Sequence, residues 1–181
     1  MNDEEDIQWV RLTLEGHSRA FESIVRKYHK PLYNIAYRMV SDKEDAEDVV
    51  QSTFLKAFLK LKTFNIHLKF FSWLYRIAIN ESLNAIKQKH RHSEIDDNAA
   101  SPEKLPDEFA DDQLALEKFQ TALAALSFDL RIVIVLNHFM FMSYQDISQI
   151  LDIPETTVKS RLFTARQALK NIFSKKGMDT K

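Results

Sequence analysis

The sequence predicts an all-α fold of two small helical domains joined by an acidic linker. Three observations carry that prediction. Apolar residues recur three and four apart through most of the chain, the period of a helix with one buried face. Only two glycines, Gly16 and Gly177, occur in 181 residues, too few for tight hairpins or phosphate-cradling loops. The stretch 93–110, SEIDDNAASPEKLPDEFA, has two prolines, many acids and few large apolar side chains, and reads as a linker between residues 1–92 and 111–181.

The N-terminal elements follow in order. Ser18 is placed to cap a helix with Phe21, Ile24, Val25 and Tyr28 on its inner face. Pro31 is expected to start a new segment, with Leu32, Ile35, Ala36 and Met39 inside. Ser41 or Asp42 caps a third helix, whose apolar face is Ala46, Val49, Val50, Phe54, Ala57, Phe58 and Leu61. A loop near 62–69 leads into a long helix from about Phe70 to Lys89. On its helical wheel, Phe70, Leu74, Ile77 and Ala78 form the core side. Trp73, Arg76, Asn80, Asn84 and Lys87 form one edge, and the preceding loop offers Phe64, Asn65, His67 and Lys69. Rings, cations and amides together suit a single-stranded nucleic acid, which needs stacking, phosphate neutralisation and base-edge contacts. The alternative is that Trp73 completes the core and the rest is ordinary surface.

After the linker, helices are expected near 111–125 and 128–140, then two shorter ones. The run LRIVIVLNHFMF is rich in β-branched residues but has no turn chemistry or partner strand nearby, so it reads as a buried helix. Ser143 and Asp146 form a capping arrangement. Ile147 and Ile150 give that helix an apolar face, Asp152–Ile153–Pro154 breaks it, and Pro154 opens another. Val158, Leu162, Ala165 and Leu169 point inward there, while Thr157, Lys159, Ser160, Arg161, Thr164 and Arg166 point outward. Short helix, tight turn and longer helix with a basic, hydroxylated face is the helix-turn-helix plan. That face suits duplex DNA; a helical hairpin with a solvated basic face is the alternative.

The net charge of −1 conceals segregation. Residues 60–92 carry 7 basic and 1 acidic side chains, residues 93–117 carry 1 and 9, and residues 154–181 carry 7 and 2. Two basic blocks flank an acidic one, a pattern that hints at a polyanionic partner or at solvated helix ends. With no cysteine, disulfides and thiolate chemistry are excluded, and the six histidines lack metal-ligand spacing. No apolar run is long enough to span a membrane, and the acidic N-terminus lacks the basic start of a secretion signal, so a cytoplasmic protein is expected.

The motifs AFESIVRKYHKPLYNIAYRMV, DAEDVVQSTFLKAFLKL, F-x5-F-x2-WLYRIAIN, ALSFDLRIVIVL, SYQDISQIL and TTVKSRLFTARQAL stand in one order over residues 18–92 and 113–173. In that order the chain resembles bacterial RNA polymerase sigma factors of the extracytoplasmic-function (ECF) group of the sigma-70 family. The resemblance implies a promoter-specificity factor rather than an enzyme, with no cofactor and no metal. It implies sigma domain two at 1–92, with Asp45, Asp48 and Gln51 contacting core RNA polymerase. The same domain would capture the melted −10 element with Phe64, Asn65, His67, Lys69, Trp73, Arg76 and Asn80. Its base pocket would lie between loop 64–71 and the helix of Trp73 and Asn80. It implies sigma domain four at 111–181, reading the −35 element with Thr157, Lys159, Ser160, Phe163 and Thr164, and Arg161 and Arg166 nearby. Promoter DNA, core polymerase and an anti-sigma factor are the implied partners. A stand-alone helix-turn-helix regulator is the alternative, but it would leave DAEDVVQSTF and the Trp73 edge without a use. The chain departs from the family pattern at Ile66, Leu68, Ile79, Asn84, Phe141, Thr156 and Thr164. Several of these lie where bases are read, so promoter sequence stays open.

Overall fold

The computed structural model describes residues 3–93 and 110–175. They form helices α1 (Asp3–Leu14), α2 (Ser18–Val40), α3 (Lys43–Lys60), α4 (Phe70–Ser93), α5 (Ala110–Ala124), α6 (Phe128–Ile134), α7 (Tyr144–Leu151) and α8 (Glu155–Lys175). No strand occurs among the described residues. A 3₁₀ turn, Leu61–Thr63, follows α3, and a π-helical turn, Val135–Phe139, continues α6. The linker expected at 93–110 falls, apart from its two end residues, outside the described residues.

Helix α2 is the axis of the N-terminal helices, and α1, α3 and α4 all pack on it. Its buried residues, Ala20, Ile24, Tyr28, Leu32, Ile35, Ala36 and Met39, keep the three-and-four spacing across Pro31. Pro31 therefore sits inside one continuous helix instead of starting a second. Proline removes one hydrogen bond and crowds the preceding turn, but apolar burial on both sides of it outweighs that local preference. Ser18 is the first helical residue and the N-cap is His17, without a side-chain bond. At the other end Ser41 takes a left-handed turn, and Asp42 caps α3 by accepting from the amides of Glu44 and Asp45 at 2.9 and 3.0 Å. Phe58, expected inside, is nearly half exposed and rests edge-on against Phe21.

Helix α1 has no counterpart in the sequence reading. It is mostly polar, and a buried carboxylate holds it. Asp6 is wholly buried and accepts from the Tyr28 hydroxyl and the Lys27 ammonium, each at 2.6 Å. Burial, then the Asp6 hydrogen bond, push the Tyr28 hydroxyl far above its ordinary pKa, so it stays a donor. Lys27 also lies over the Trp9 ring at 5.3 Å.

Among the C-terminal helices, Ile132, Val133, Ile134, Val135 and Leu136 are buried in succession, as expected of a helix enclosed on all sides. The chain then turns through Phe141 at φ 53°, with its ring 88% exposed. A large side chain in the left-handed region costs about 1–2 kcal/mol against glycine, and this ring recovers little of it by burial. Phe141→Gly is therefore expected to raise stability by about 0.5–1 kcal/mol, after the entropy glycine adds to the unfolded chain. A urea melt of the pair checks it; an unchanged or lowered midpoint would show that the ring packs usefully.

Ser143 caps α7 by accepting from the Asp146 amide at 3.1 Å. Asp152 ends α7 in the left-handed region. Pro154 stands just before α8, and its carbonyl accepts from the amides of Thr157 and Val158. Ile147 and Ile150 of α7 and Val158, Leu162, Ala165 and Leu169 of α8 are all buried. The helix-turn-helix is thus a rigid corner with one face of α8 left outside.

Candidate nucleic-acid interface

Loop 64–69 and one edge of α4 form the first part of the site. Asn65 Oδ1 accepts from the His67 amide at 3.0 Å, and Asn65 O accepts from the Leu68 amide. This turn presents Asn65, Ile66, His67 and Leu68 to solvent. Phe64 does not join them. It is 7% exposed, with its ring 5.3 Å from Phe70 and 5.2 Å from Trp73. It is core, because the 3₁₀ turn before it points it inward. Trp73 is half-buried, one side on Phe64 and Phe70. Asn80 is exposed.

The two cations of this edge are engaged. Lys69 Nζ is 2.7 Å from Asp146 Oδ1 of α7. Arg76 Nε donates to Ile150 O at 3.0 Å and Nη2 to Gln149 O at 2.6 Å, at the C-terminus of the same helix. The Asp146 carboxyl lies below its ordinary pKa: burial raises it, but the Lys69 and Ser143 hydrogen bonds outweigh burial. A recess of about 570 Å³ opens beside the loop, but on its α1 side. It is lined by Ile7, Arg11, Ile66 and Leu68 among others, with Asp3 and Glu4, and not by Trp73 or Asn80. That recess is not the space between the loop and α4, where the Phe64 ring packs on Phe70 and Trp73.

The outer face of α8 is the second part. Lys159, Ser160, Phe163 and Thr164 are exposed, and Thr157 is half-buried. Phe163 is 66% exposed and presents its ring on this face. Both arginines have a protein partner, though only Arg161 is ion-paired. Arg161 Nη2 pairs with Asp129 at 2.8 Å, and Arg166 Nη2 donates to Asn137 Oδ1 at 3.2 Å. They hold α8 against α6 and its π turn, so they orient the face as much as charge it.

The third part is a groove of about 540 Å³ between α3 and α4, lined by Asp45, Asp48, Gln51, Asn84 and Lys89 among others. Asp48 and Gln51 are exposed. Asp45 is held by Lys89 at 2.8 Å, and that hydrogen bond is the main reason the Lys89 ammonium lies above its ordinary pKa. Leu55 and Leu59 continue the Asp48 side of α3 and are 61% and 69% exposed. Sequence reading passed over them, although both stand outside the apolar period of α3. That mismatch was the available signal.

Among the described residues there is no cluster of three metal-ligating side chains, and no helix long and apolar enough to cross a membrane.

Comparison with known proteins gives these parts a common setting. The description Sigma-70 region 2 matches residues 24–92, and Sigma-70, region 4 matches residues 116–169. The RNA polymerase sigma-H factor of Pseudomonas aeruginosa is 33% identical over 93% of this chain and 94% of its own. The ECF RNA polymerase sigma factor SigW of Bacillus subtilis is 31% identical over 89% of this chain and 92% of its own. A solved structure of the sigma factor RpoE with the anti-sigma factor NepR, from Bartonella quintana, is 29% identical and has a TM-score of 0.70. It covers 85% of this chain and 96% of its own, so the match draws on both groups of helices. The chain belongs to the sigma-70 family of RNA polymerase sigma factors, in the extracytoplasmic-function group.

Proposed function

We propose that this sigma factor binds core RNA polymerase through the α3 side of the α3–α4 groove and reads a promoter with two separate surfaces. Residues 1–92 act as sigma domain two and 111–181 as sigma domain four, with 93–110 as the linker between them. The observation that supports this best is the coexistence of three surfaces of different chemistry, two of them exposed and the third, the −10 edge, partly engaged by α7. The Asp48–Gln51–Leu55–Leu59 side of α3 is polar and apolar by turns, which suits a protein partner. The Lys159–Ser160–Phe163–Thr164 face of α8 suits the major groove at the −35 element. The loop 65–69 edge with Trp73, Arg76 and Asn80 suits the unpaired −10 strand.

Working on core polymerase, the chain acts in the cytoplasm and performs no catalysis; bond formation belongs to polymerase. An anti-sigma factor is its expected regulator. Base flipping costs a few kcal/mol of unstacking, so the −10 edge must supply contacts that exist only after melting. Asn80 is the cleanest probe, since it is exposed and its truncation leaves the α4 core face intact. Asn80→Ala should slow promoter melting about tenfold, in line with a lost base-edge amide, with core-polymerase binding unchanged. Permanganate reactivity of unpaired thymines reads the first quantity and co-purification the second. Unaltered melting would remove Asn80 from the site; lost polymerase binding would reassign the edge to the polymerase interface.

A further inference from the structure

We infer that Phe141 is a further contact to duplex DNA, packing its ring on the sugar–phosphate backbone that borders the −35 element. The inference rests on the proposed reading of that element by α8. Phe141 is the most exposed large apolar side chain among the described residues, at 88%. Its backbone sits in the left-handed region at φ 53°, where a bulky residue is strained and glycine is not. The ring adds little to the fold, and its neighbours hold the strain in place. The Met140 amide donates to Val135 O at 3.2 Å and the Met142 amide to Leu136 O at 3.1 Å. Met142 itself is buried. The turn is therefore fixed on both sides of a ring that it presents to solvent. A strained, fixed and exposed residue points to a contact outside the chain.

Hydrogen bonds tie this turn to the outer face of α8. Asn137 Nδ2 donates to Met142 O at 3.1 Å, and Asn137 Oδ1 accepts from Arg166 Nη2 at 3.2 Å. Tyr144, at the start of α7, has Lys159 Nζ 5.9 Å from its ring centroid. The turn thus adjoins two cations of α8 that stand about one helical turn either side of Phe163. In a helix-turn-helix, the second helix enters the major groove while the first crosses the backbone. Phe141 leads into the first of these helices, α7. It stands where the backbone passes and not where base edges lie.

The surroundings favour DNA over a protein partner. Protein interfaces centre on contiguous apolar surface. Within residues 128–174, Phe141 and Phe163 are the only exposed large apolar side chains. The exposed polar side chains of the turn and the α8 face include Ser143, Gln145, Lys159, Ser160, Thr164 and Arg166. Hydroxyls, amides and cations bind phosphate, and a ring beside them can cover a deoxyribose. Sugar and phosphate contacts fix the register of a protein on the duplex and carry no sequence information directly. Phe141 therefore strengthens every −35 site alike.

The test uses holoenzyme assembled from core polymerase and the full chain, with a promoter duplex that it selects from randomised sequence. Phe141→Gly should weaken binding of that duplex about fivefold, the loss expected from half-burying a phenyl ring. The loss should be the same when any −35 base is changed. The slope of log affinity against log salt should not move, because no cation is removed. Lys159→Ala is the contrast, and its slope should fall by about one. Phe141→Tyr keeps the ring and should bind as the unaltered chain does. The same Phe141→Gly variant should raise the urea midpoint while weakening DNA binding, a combination that a purely structural role does not produce. Unchanged duplex affinity would overturn the inference. So would a slope lowered by about one, which would mean that the turn only positions Arg166. Weaker assembly with core polymerase, with the formed holoenzyme binding its promoter as before, would assign the ring to polymerase instead. An unaltered holoenzyme that selects no duplex would count against the proposed function itself and remove this contact with it.

Discussion

Asp6→Ala will destabilise the N-terminal helices by about 3 kcal/mol, near the cost of breaking a buried, hydrogen-bonded charge pair. Asp6 is the one contact through which α1 grips both Lys27 and Tyr28. Its removal leaves the fully buried Tyr28 hydroxyl without an acceptor, which alone costs about 1–3 kcal/mol. The Lys27 ammonium is partly exposed and has Glu5 at 3.5 Å, so it can regain a partner and limits the loss. Two companion variants separate these effects. Asp6→Asn keeps an acceptor for Tyr28 and should lose less. Tyr28→Phe combined with Asp6→Ala should cost less than the two changes added, because the second removes the orphaned hydroxyl. Urea unfolding of the set measures all of this. A loss under about 1 kcal/mol for Asp6→Ala would mean that α1 is held by its apolar residues alone.

Leu55→Glu combined with Asp48→Arg should abolish co-purification with core polymerase, a loss of at least about a hundredfold. Interfaces concentrate their energy in a few central residues, and an exposed apolar pair beside Asp48 and Gln51 is the best anchor on α3. Both positions are solvent-facing on a helix whose core residues remain, so folding should be unaffected. Circular dichroism and the melting midpoint verify that. Undiminished polymerase binding by the folded double variant would move the docking face away from α3.

Residue patterns carried much of this in advance, and the failures have a common physical origin. The core face of α4 and both faces of the helix-turn-helix follow from periodicity, since Phe70, Leu74, Ala78, Val158, Leu162, Ala165 and Leu169 are all buried. Local capping chemistry located Ser143 and narrowed the α3 cap to Ser41 or Asp42, of which Asp42 serves, but it misplaced the start of α2, where His17 and not Ser18 is the N-cap. What escaped were contacts made across the sequence. Helix α1 has a weak apolar stripe and depends on Asp6, twenty-two residues from Tyr28. Pro31 obeys tertiary packing rather than its local preference. Phe64 sits in a loop rich in exposed residues, and only the folded chain shows its ring in the core. Lys69 and Arg76 look like free cations in sequence; their partners lie 77 and 74 residues away on α7. Arg161 and Arg166 repeat the lesson with Asp129 and Asn137. Periodicity finds which side of a helix is outside, but not what has come to rest there.

The central claim is that this chain gives core RNA polymerase its choice of promoter. In vitro transcription by core polymerase on a library of randomised upstream sequences, with and without the purified chain, tests it most directly. Transcripts should appear only with the chain present, from templates enriched in one −35 and one −10 element at fixed spacing. Transcript yield no different from core polymerase alone, or enrichment of a single duplex element bound equally well without polymerase, would contradict it.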